Sequence, residues 1–523
     1  MLKRRLKLCA KVLLALVLLL MAFLLFERFR GQIALANYKK ELIAKGEKLS
    51  PQDFMAKFDE ADNGAPAVFA ATTNLIKGVV LPNGYPPRMK VLDSGRAIVG
   101  FREPEWVEKD PYRDGQSLKG LFTNHWADLA ADLQENAAPL AEIQTALMKP
   151  VLNNRLNLAE GNNLRFPYLA PAKSLTYWFG SANALALHEG RTAEATKYLV
   201  SQINLPRLLA EDGLVISELV RIAIGAIAKT DTWEALQADG WTDADLATIQ
   251  SAWEKQHFMA SMAVQLEGER IFIAQTAQQI RDSNDETYEW IFGQYAAFFS
   301  DEDVPEPRWM KWFQKIPYGE ELLEGLRKQA YCRVWRFAWA HQTELRTMKN
   351  LQRLIELVRT AATNASFQAI ESDLDALVVK LGDKNFYDRL RFPSYESVAI
   401  LAHAAKKSTR AEADRSLCIA AIALKRYSLR HGNYPAKLDA LVPEFLSVVP
   451  VDYMDGQPIK YRLNTDGSFT LYSVGEDGKD DGGDRSMPEG SKGRDLWRRK
   501  DYVWPAPATP EEVAEYRQAA GKN

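Results

Sequence analysis

The residues best suited to chemistry lie near the C-terminal end. Positions 476–484 read Glu-Asp-Gly-Lys-Asp-Asp-Gly-Gly-Asp, five carboxylates and one lysine in nine positions. Glycines at 475, 478, 482 and 483 let the backbone fold tightly, so carbonyls and carboxylates could converge on one point. A hard divalent cation needs such a set: calcium takes about six to eight oxygens at roughly 2.3–2.6 Å. Asp477, Asp480, Asp481 and Asp484 are the candidate metal ligands. The loop is not an EF-hand, because position three from Asp477 is Lys479 and position twelve is Pro488, where a bidentate Glu is required. A solvated acidic turn without an ion is the competing reading.

Other chemistry is sparse. The six histidines, His125, His188, His257, His341, His403 and His431, have no metal-ligand spacing. No H-E-x-x-H, G-x-S-x-G elbow, phosphate loop or dinucleotide fingerprint is present, so no catalytic residue and no organic cofactor is assigned. His188 precedes Glu189 and Gly190 at an expected helix end, where it would satisfy the last carbonyls. Arg270 shares a helical face with Met259, Met262, Ala263, Leu266, Ile273, Ala274 and Ala277, so it points inward and needs a carboxylate. Glu218, Glu189, Glu267 and Glu269 are the expected partners. A structural buried pair is preferred to a catalytic one.

The acidic loop follows an alternation typical of strands. Asp466-Gly467 between KYRL and SFTLYS predicts a hairpin. A long helix from about 394 to 431, ended by Gly432, should pack on it. Upstream, the 3.6-residue period dominates from 117 to about 290. Leu175, Trp178, Phe179, Ala182 and Leu185 mark one stripe; Val215, Leu219, Ile222, Ala223 and Ala226 mark another; Leu246, Ile249 and Trp253 start a third. Gly190 should stop one helix and Thr192 cap the next, an elbow like that of a helix-pair repeat, although no clean repeat is found. Helices resume from 319 to about 380. Residues 80–116 and 300–318 read as loops, the first with one short strand at 96–101 and the second a candidate binding loop. Cys332 and Cys418 fall in apolar helical patterns; two inert buried thiols are preferred to a disulfide.

Residues 12–26, VLLALVLLLMAFLLF, contain no polar side chain, and Lys3, Arg4, Arg5, Lys7 and Lys11 precede them. That predicts a membrane-spanning anchor with a cytoplasmic N-terminus and the bulk on the far side. A cleaved signal peptide is the rival, but the small-x-small site at Ala34–Ala36 lies beyond Glu27, Arg28 and Arg30. A helix should leave the membrane over 33–60, and Ser50-Pro51 should start a new one. The net charge of -2 gives nucleic acid no basic face.

Three ordered blocks carry a resemblance. His431-Gly-Asn-Tyr-Pro with Leu438 and Leu441, then Pro450-Val-Asp452 with Gly456-Gln-Pro-Ile-Lys-Tyr461, then Ser473-Val-Gly-Glu-Asp477-Gly with Gly482-Gly483, resemble the C-terminal half of the major pseudopilin of type II secretion. The resemblance implies calcium, with Asp477 as first ligand and Asp501 supplying a second carboxylate from just before the closing aromatic segment. With the anchor, the helical middle and Asp501-Tyr-Val-Trp504, the whole chain is similar to a group of bacterial envelope proteins, which implies the inner membrane and a periplasmic bulk. A pseudopilin's stem continues straight from its membrane segment; here nearly 400 residues intervene, so the module reads as borrowed.

The expected fold is mainly α: an irregular helical array after a transmembrane helix, with a small C-terminal α+β module. The expected division is a basic tail 1–11, anchor 12–30, anchor-proximal region 31–116, helical domain 117–395, pseudopilin-like module 396–505 and tail 506–523. The expected function is a membrane-anchored extracytoplasmic scaffold or interaction protein, with calcium stabilising its module. Its partners would be the lipid bilayer and another envelope protein. The alternatives are a component of a type II secretion or pilus-like machine, and an extracytoplasmic enzyme.

Overall fold

The structure is a computed structural model. It describes residues 2–520 apart from 56, 77, 79–80, 82–84, 93, 105, 109–121, 125, 284–318, 383–384, 393–395 and 489–495. The candidate binding loop at 300–318 and much of the 80–116 loop lie outside the described residues.

The first helix, α1 (Leu2–Ala44), is unbroken for 43 residues. Its apolar run faces outward, with Leu13, Leu19 and Phe26 each more than half exposed. A helix of this hydropathy and length can cross a membrane. Beyond Phe26 the same helix enters the body: Glu27, Leu35 and Leu42 are buried. The exit helix therefore ends earlier than the expected 60. Gly46 (φ 79°) closes it, with Gly46 N–H donating to Ile43 O (2.9 Å) and Glu47 N–H to Leu42 O (3.0 Å). Only a residue at ease with positive φ makes this stop. Ser50 then caps α2 (Pro51–Phe54) through a reciprocal bond with Asp53, as Ser50-Pro51 predicts.

The array continues through α3 (Ala65–Thr72), α4 (Trp126–Glu135), α5 (Ala137–Leu147), α6 (Leu169–His188), α7 (Thr192–Asn204), α8 (Val215–Leu236), α9 (Asp243–Glu254) and α10 (Phe258–Asp282). Then follow α11 (Gly319–Ala338), α12 (Ala340–Asn364), α13 (Glu371–Gly382), α14 (Phe386–Arg391) and the long α15 (Glu396–His431). Two short antiparallel pairs, β1 (Lys90–Val91) with β2 (Ala97–Ile98) and β3 (Trp106–Glu108) with β4 (Phe122–Asn124), sit in the early loop region. The strand expected at 96–101 is only its first half; Gly100–Arg102 turn as a 3-10 helix because Gly100 N–H is drawn to the Glu234 carboxylate (2.9 Å).

The first and third apolar stripes are buried as expected: Leu175, Trp178 and Phe179 are inaccessible, as are Leu246 and Ile249. The second is not the most buried face of α8. Ala226 is exposed and Leu219 and Ile222 are half-buried, whereas Ser217, Glu218, Arg221, Asp231 and Glu234 are buried. Helix α8 is enclosed on several sides, so its polar side chains are paired internally and hydropathy alone misplaces its inner face. Thr192 does not cap α7: it is the first helical residue, and its hydroxyl donates to Gly240 O (3.2 Å). The stop at Gly190 (φ 71°) is where the sequence put it.

At the C-terminal end, β5 (Lys460–Leu463) and β6 (Phe469–Ser473) pair antiparallel across the Asp466-Gly467 turn, and β7 (Tyr502–Val503) joins β6 on its other side. Helix α16 (Pro510–Ala520) follows the sheet. One apolar core runs through both regions: Leu175, Trp233 and Trp253 of the array belong to the same buried cluster as Leu417, Leu441 and Leu471. The sheet module thus shares its core with the helices.

Candidate functional site

The acidic loop is gathered by a single carboxylate. Asp501, fully buried just before β7, accepts N–H bonds from Gly483 (2.7 Å), Asp484 (2.9 Å) and Asp481 (3.4 Å). Burial raises its pKa, against the pull of these three donors. The glycines expected to fold the loop do so: Gly478, Gly482 and Gly483 all have positive φ. Asp480 accepts from Tyr472 Oη and Gly482 N–H, both at 2.9 Å. Asp484 accepts from Ser486 N–H (2.9 Å) and pairs with Lys500 (2.8 Å), and the Lys500 bond holds its carboxyl down at about 2. Asp477 accepts from Lys479 N–H (3.1 Å). Asp481 reaches the site through its backbone.

A calcium ion needs oxygens aimed at one point, and this conformation aims N–H groups at the central carboxylate instead. The Gly482 carbonyl is occupied by Arg462 (3.0 Å). Among the described residues no three His, Cys, Asp or Glu side chains are grouped closely enough to hold a metal ion. Asp501 and the loop are brought together as expected; the five carboxylates are not focused on one centre.

Sequence reasoning missed Asp452, although it stands within the Pro450-Val-Asp452 block. It is fully buried and accepts from Val474 N–H (2.9 Å), Ser473 Oγ (2.9 Å) and Met454 N–H (3.1 Å). Asp452 ties the approach to the loop as Asp501 ties its exit. A lone aspartate between apolar residues was the available signal.

Arg270 is fully buried, as its helical face predicts, but none of the four expected glutamates is its partner. It pairs with Glu47 (3.0 Å) and donates to Lys48 O (2.8 Å) and Gln352. Glu47 also receives two bonds from Arg359 (2.5 and 3.0 Å) and one from Gln352 (3.0 Å). Burial pushes the Glu47 carboxyl up, but the bonds from Arg359, Gln352 and Arg270 outweigh it and hold the group at about 2. The expected partners are engaged elsewhere: Glu218 with Arg221 (2.6 Å), Glu267 with Arg359 (2.7 Å), Glu269 with Val215 N–H (3.1 Å) and Glu189 with Arg191.

A second ionic group joins the array to the module. Lys229 of α8 donates to Tyr502 Oη (2.7 Å) and lies 3.4 Å from Asp414 of α15. Cys418, one turn on from Asp414, has its thiol pKa pushed well up by burial. It and Cys332 are buried and outside any disulfide, in line with two inert thiols. His188 does not serve its own helix end: Nδ1 meets Phe101 O (2.8 Å), and the ring stacks on Trp126. His125 lies outside the described residues.

No family model matches the chain, no curated protein is similar to it, and no solved structure resembles it.

Proposed function

We propose that this chain is a membrane-anchored extracytoplasmic scaffold or interaction protein of the bacterial envelope. One observation carries the reading: the anchor and the body are a single continuous element. Helix α1 crosses from its exposed apolar run into the body without a break. There Gln342 Nε2 and Tyr387 Oη donate to the Glu27 carboxylate (3.0 and 2.9 Å). Further along, Lys39 pairs with Glu344 (2.6 Å), and Leu35 and Leu42 pack with Met348. The helix then stops so that Glu47 faces Arg270 and Arg359. A tethered enzyme needs only a flexible leash; a helix locked at both ends holds a surface at fixed height and angle, which is what a scaffold requires.

Calcium enters this reading as an addition. Asp501 closes the loop through N–H bonds alone, and an ion would bind to the outward carboxylates Asp477, Asp480 and Asp484. The resemblance to pseudopilins supplies the alternative of a secretion component.

The test is in-cell photo-crosslinking from positions on the exposed body, combined with impermeant labelling of a cysteine at Lys479. Labelling from outside the cytoplasm and a discrete protein adduct that disappears when α1 is replaced by a cleavable signal support the proposal. Labelling only after the membrane is breached, or cross-links only to lipid, would sink it.

A further inference from the structure

Immediately above the apolar run, α1, α12, α13 and α14 enclose a groove of about 680 Å³. That volume is in the range of small-ligand sites. Arg30, Gly31 and Ala34 form the α1 wall. The close approach on that side depends on Gly31, where a Cβ would sit 2.8 Å from Gln342 Cγ. Leu345, Leu377, Leu381 and Phe392 give the groove an apolar lining.

The charged groups on the same groove are almost all positive. Arg346, Lys349 and Lys380 join Arg30, against Asp388 alone. Asp388 is already paired with Arg391 (2.5 Å), and Arg30 with Glu27 (2.9 Å). The other three cations form no ion pair among the described residues. The Arg346 guanidinium lies over the Phe392 ring (4.4 Å to its centre) and the Lys349 ammonium over Tyr38 (5.3 Å). Three positive charges that form no ion pair, set around an apolar slot, present a site for an anion that carries hydrocarbon.

Depth selects among such molecules. Arg30 and Ala34 follow Phe26 by four and eight residues, about 6–12 Å along the helix at roughly 1.5 Å per residue. Headgroup layers extend about 5–8 Å beyond the hydrocarbon on each side. The body reaches α1 at the end of the apolar run, where Leu24 packs against the cluster of Trp335, Trp339 and Tyr387. The groove therefore opens at headgroup level.

We propose that this groove holds one anionic phospholipid of the bilayer, its phosphate against Arg346, Lys349 and Lys380 and part of an acyl chain on Leu377, Leu381 and Phe392. The inference rests on α1 spanning the membrane. Basic pockets between helices at a membrane surface recognise lipid headgroups by this combination of charge and concavity.

The test uses the full chain in nonionic detergent, titrated with phosphatidylglycerol or phosphatidylcholine and read by native mass spectrometry. We expect one phosphatidylglycerol per chain, retained at least ten-fold better than phosphatidylcholine and not displaced by inorganic phosphate. Lys380→Glu, at an exposed position, should erase that preference; Leu377→Trp should weaken both lipids by filling the slot. Equal retention of the two lipids by the native chain, unchanged preference in Lys380→Glu, or displacement by phosphate alone each overturns the proposal. Extraction of the chain from membranes by carbonate would instead overturn the anchor reading, so the two failures are distinguishable.

Discussion

Glu47 Oε2 lies 3.0 Å from Arg270 Nη2, joining the turn just past the end of α1 to the middle of α10, 223 positions later. The pair forms because the glycine stop at the end of α1 turns the chain back on itself. Arg270 is fully buried, so nothing in water replaces its partner.

Glu47→Gln should therefore be strongly destabilising. Stripping one partner from a buried pair costs about 3–5 kcal/mol, because the remaining charge stays desolvated. Glu47→Gln combined with Arg270→Met should recover much of that loss. Urea unfolding of the detergent-solubilised chain checks both, and near-additive losses in the double variant would contradict the coupling.

The same carboxyl sets an acid limit. Its folded pKa, about 2, is below its ordinary value of 4.5, so its contribution is complete above 4.5 and lost as pH falls towards 2. Glu47→Gln should melt with a flatter dependence than the native chain over that interval. Parallel melting curves would argue against the assignment.

Glu234 works in the opposite sense. Burial lifts its carboxyl to about 8 despite bonds from Gly100 and Phe101. An acid whose folded pKa is raised binds its proton more tightly in the folded state, so stability falls as pH rises from 4.5 to about 8. Glu234→Gln should reduce that loss, measured as melting temperature between pH 5 and 9. A steeper decline in the variant is the adverse outcome.

Asp501→Ala should open the acidic loop, leaving the N–H groups of Gly483 and Asp484 without an acceptor. Unsatisfied groups of this kind cost about 1–3 kcal/mol each when they stay buried. We expect faster proteolysis within 476–500 and no rescue by millimolar calcium. Rescue by calcium, with calorimetric heat that vanishes in Asp477→Ala, would make the ion the principal closure of the loop.

Cys418 should resist alkylation in the folded chain. Its thiol is fully buried and pushed well above its usual range, so thiolate is scarce and reagent excluded. In a Cys9→Ser, Cys332→Ser background, labelling should appear only with unfolding. Rapid labelling of the native chain would mean that the contact between α8 and α15 opens readily.

What the sequence made legible was local. The stripe through Leu175, Trp178 and Phe179, the stop at Gly190 and the Asp466-Gly467 hairpin all depend on near neighbours in the chain, and the structure places them as read. Arg270 was legible as inward-facing for the same reason. Its partner was not, because spacing along α10 says nothing about a residue more than 200 positions away. Helix α8 defeated the reading in a different way: Glu218, Arg221 and Asp231 lie off its apolar stripe, and their burial depends on Ser261 of α10, the Pro206 carbonyl, Gln202 of α7 and Arg88, which the stripe does not reveal. The groove beside α1 draws Arg30, Arg346 and Lys380 from three separate helices, and no stretch of sequence contains it.

With α1 as a membrane anchor, its unbroken run would make the body a lever on the bilayer. Its span from Glu27 to Ala44 is about 27 Å long at roughly 1.5 Å per residue. A tilt of about 20°, ordinary for a single-pass helix, would swing the far end sideways by about 9 Å. A change in bilayer thickness that retilted such an anchor would be conveyed, undamped by a hinge, to every surface the body presents.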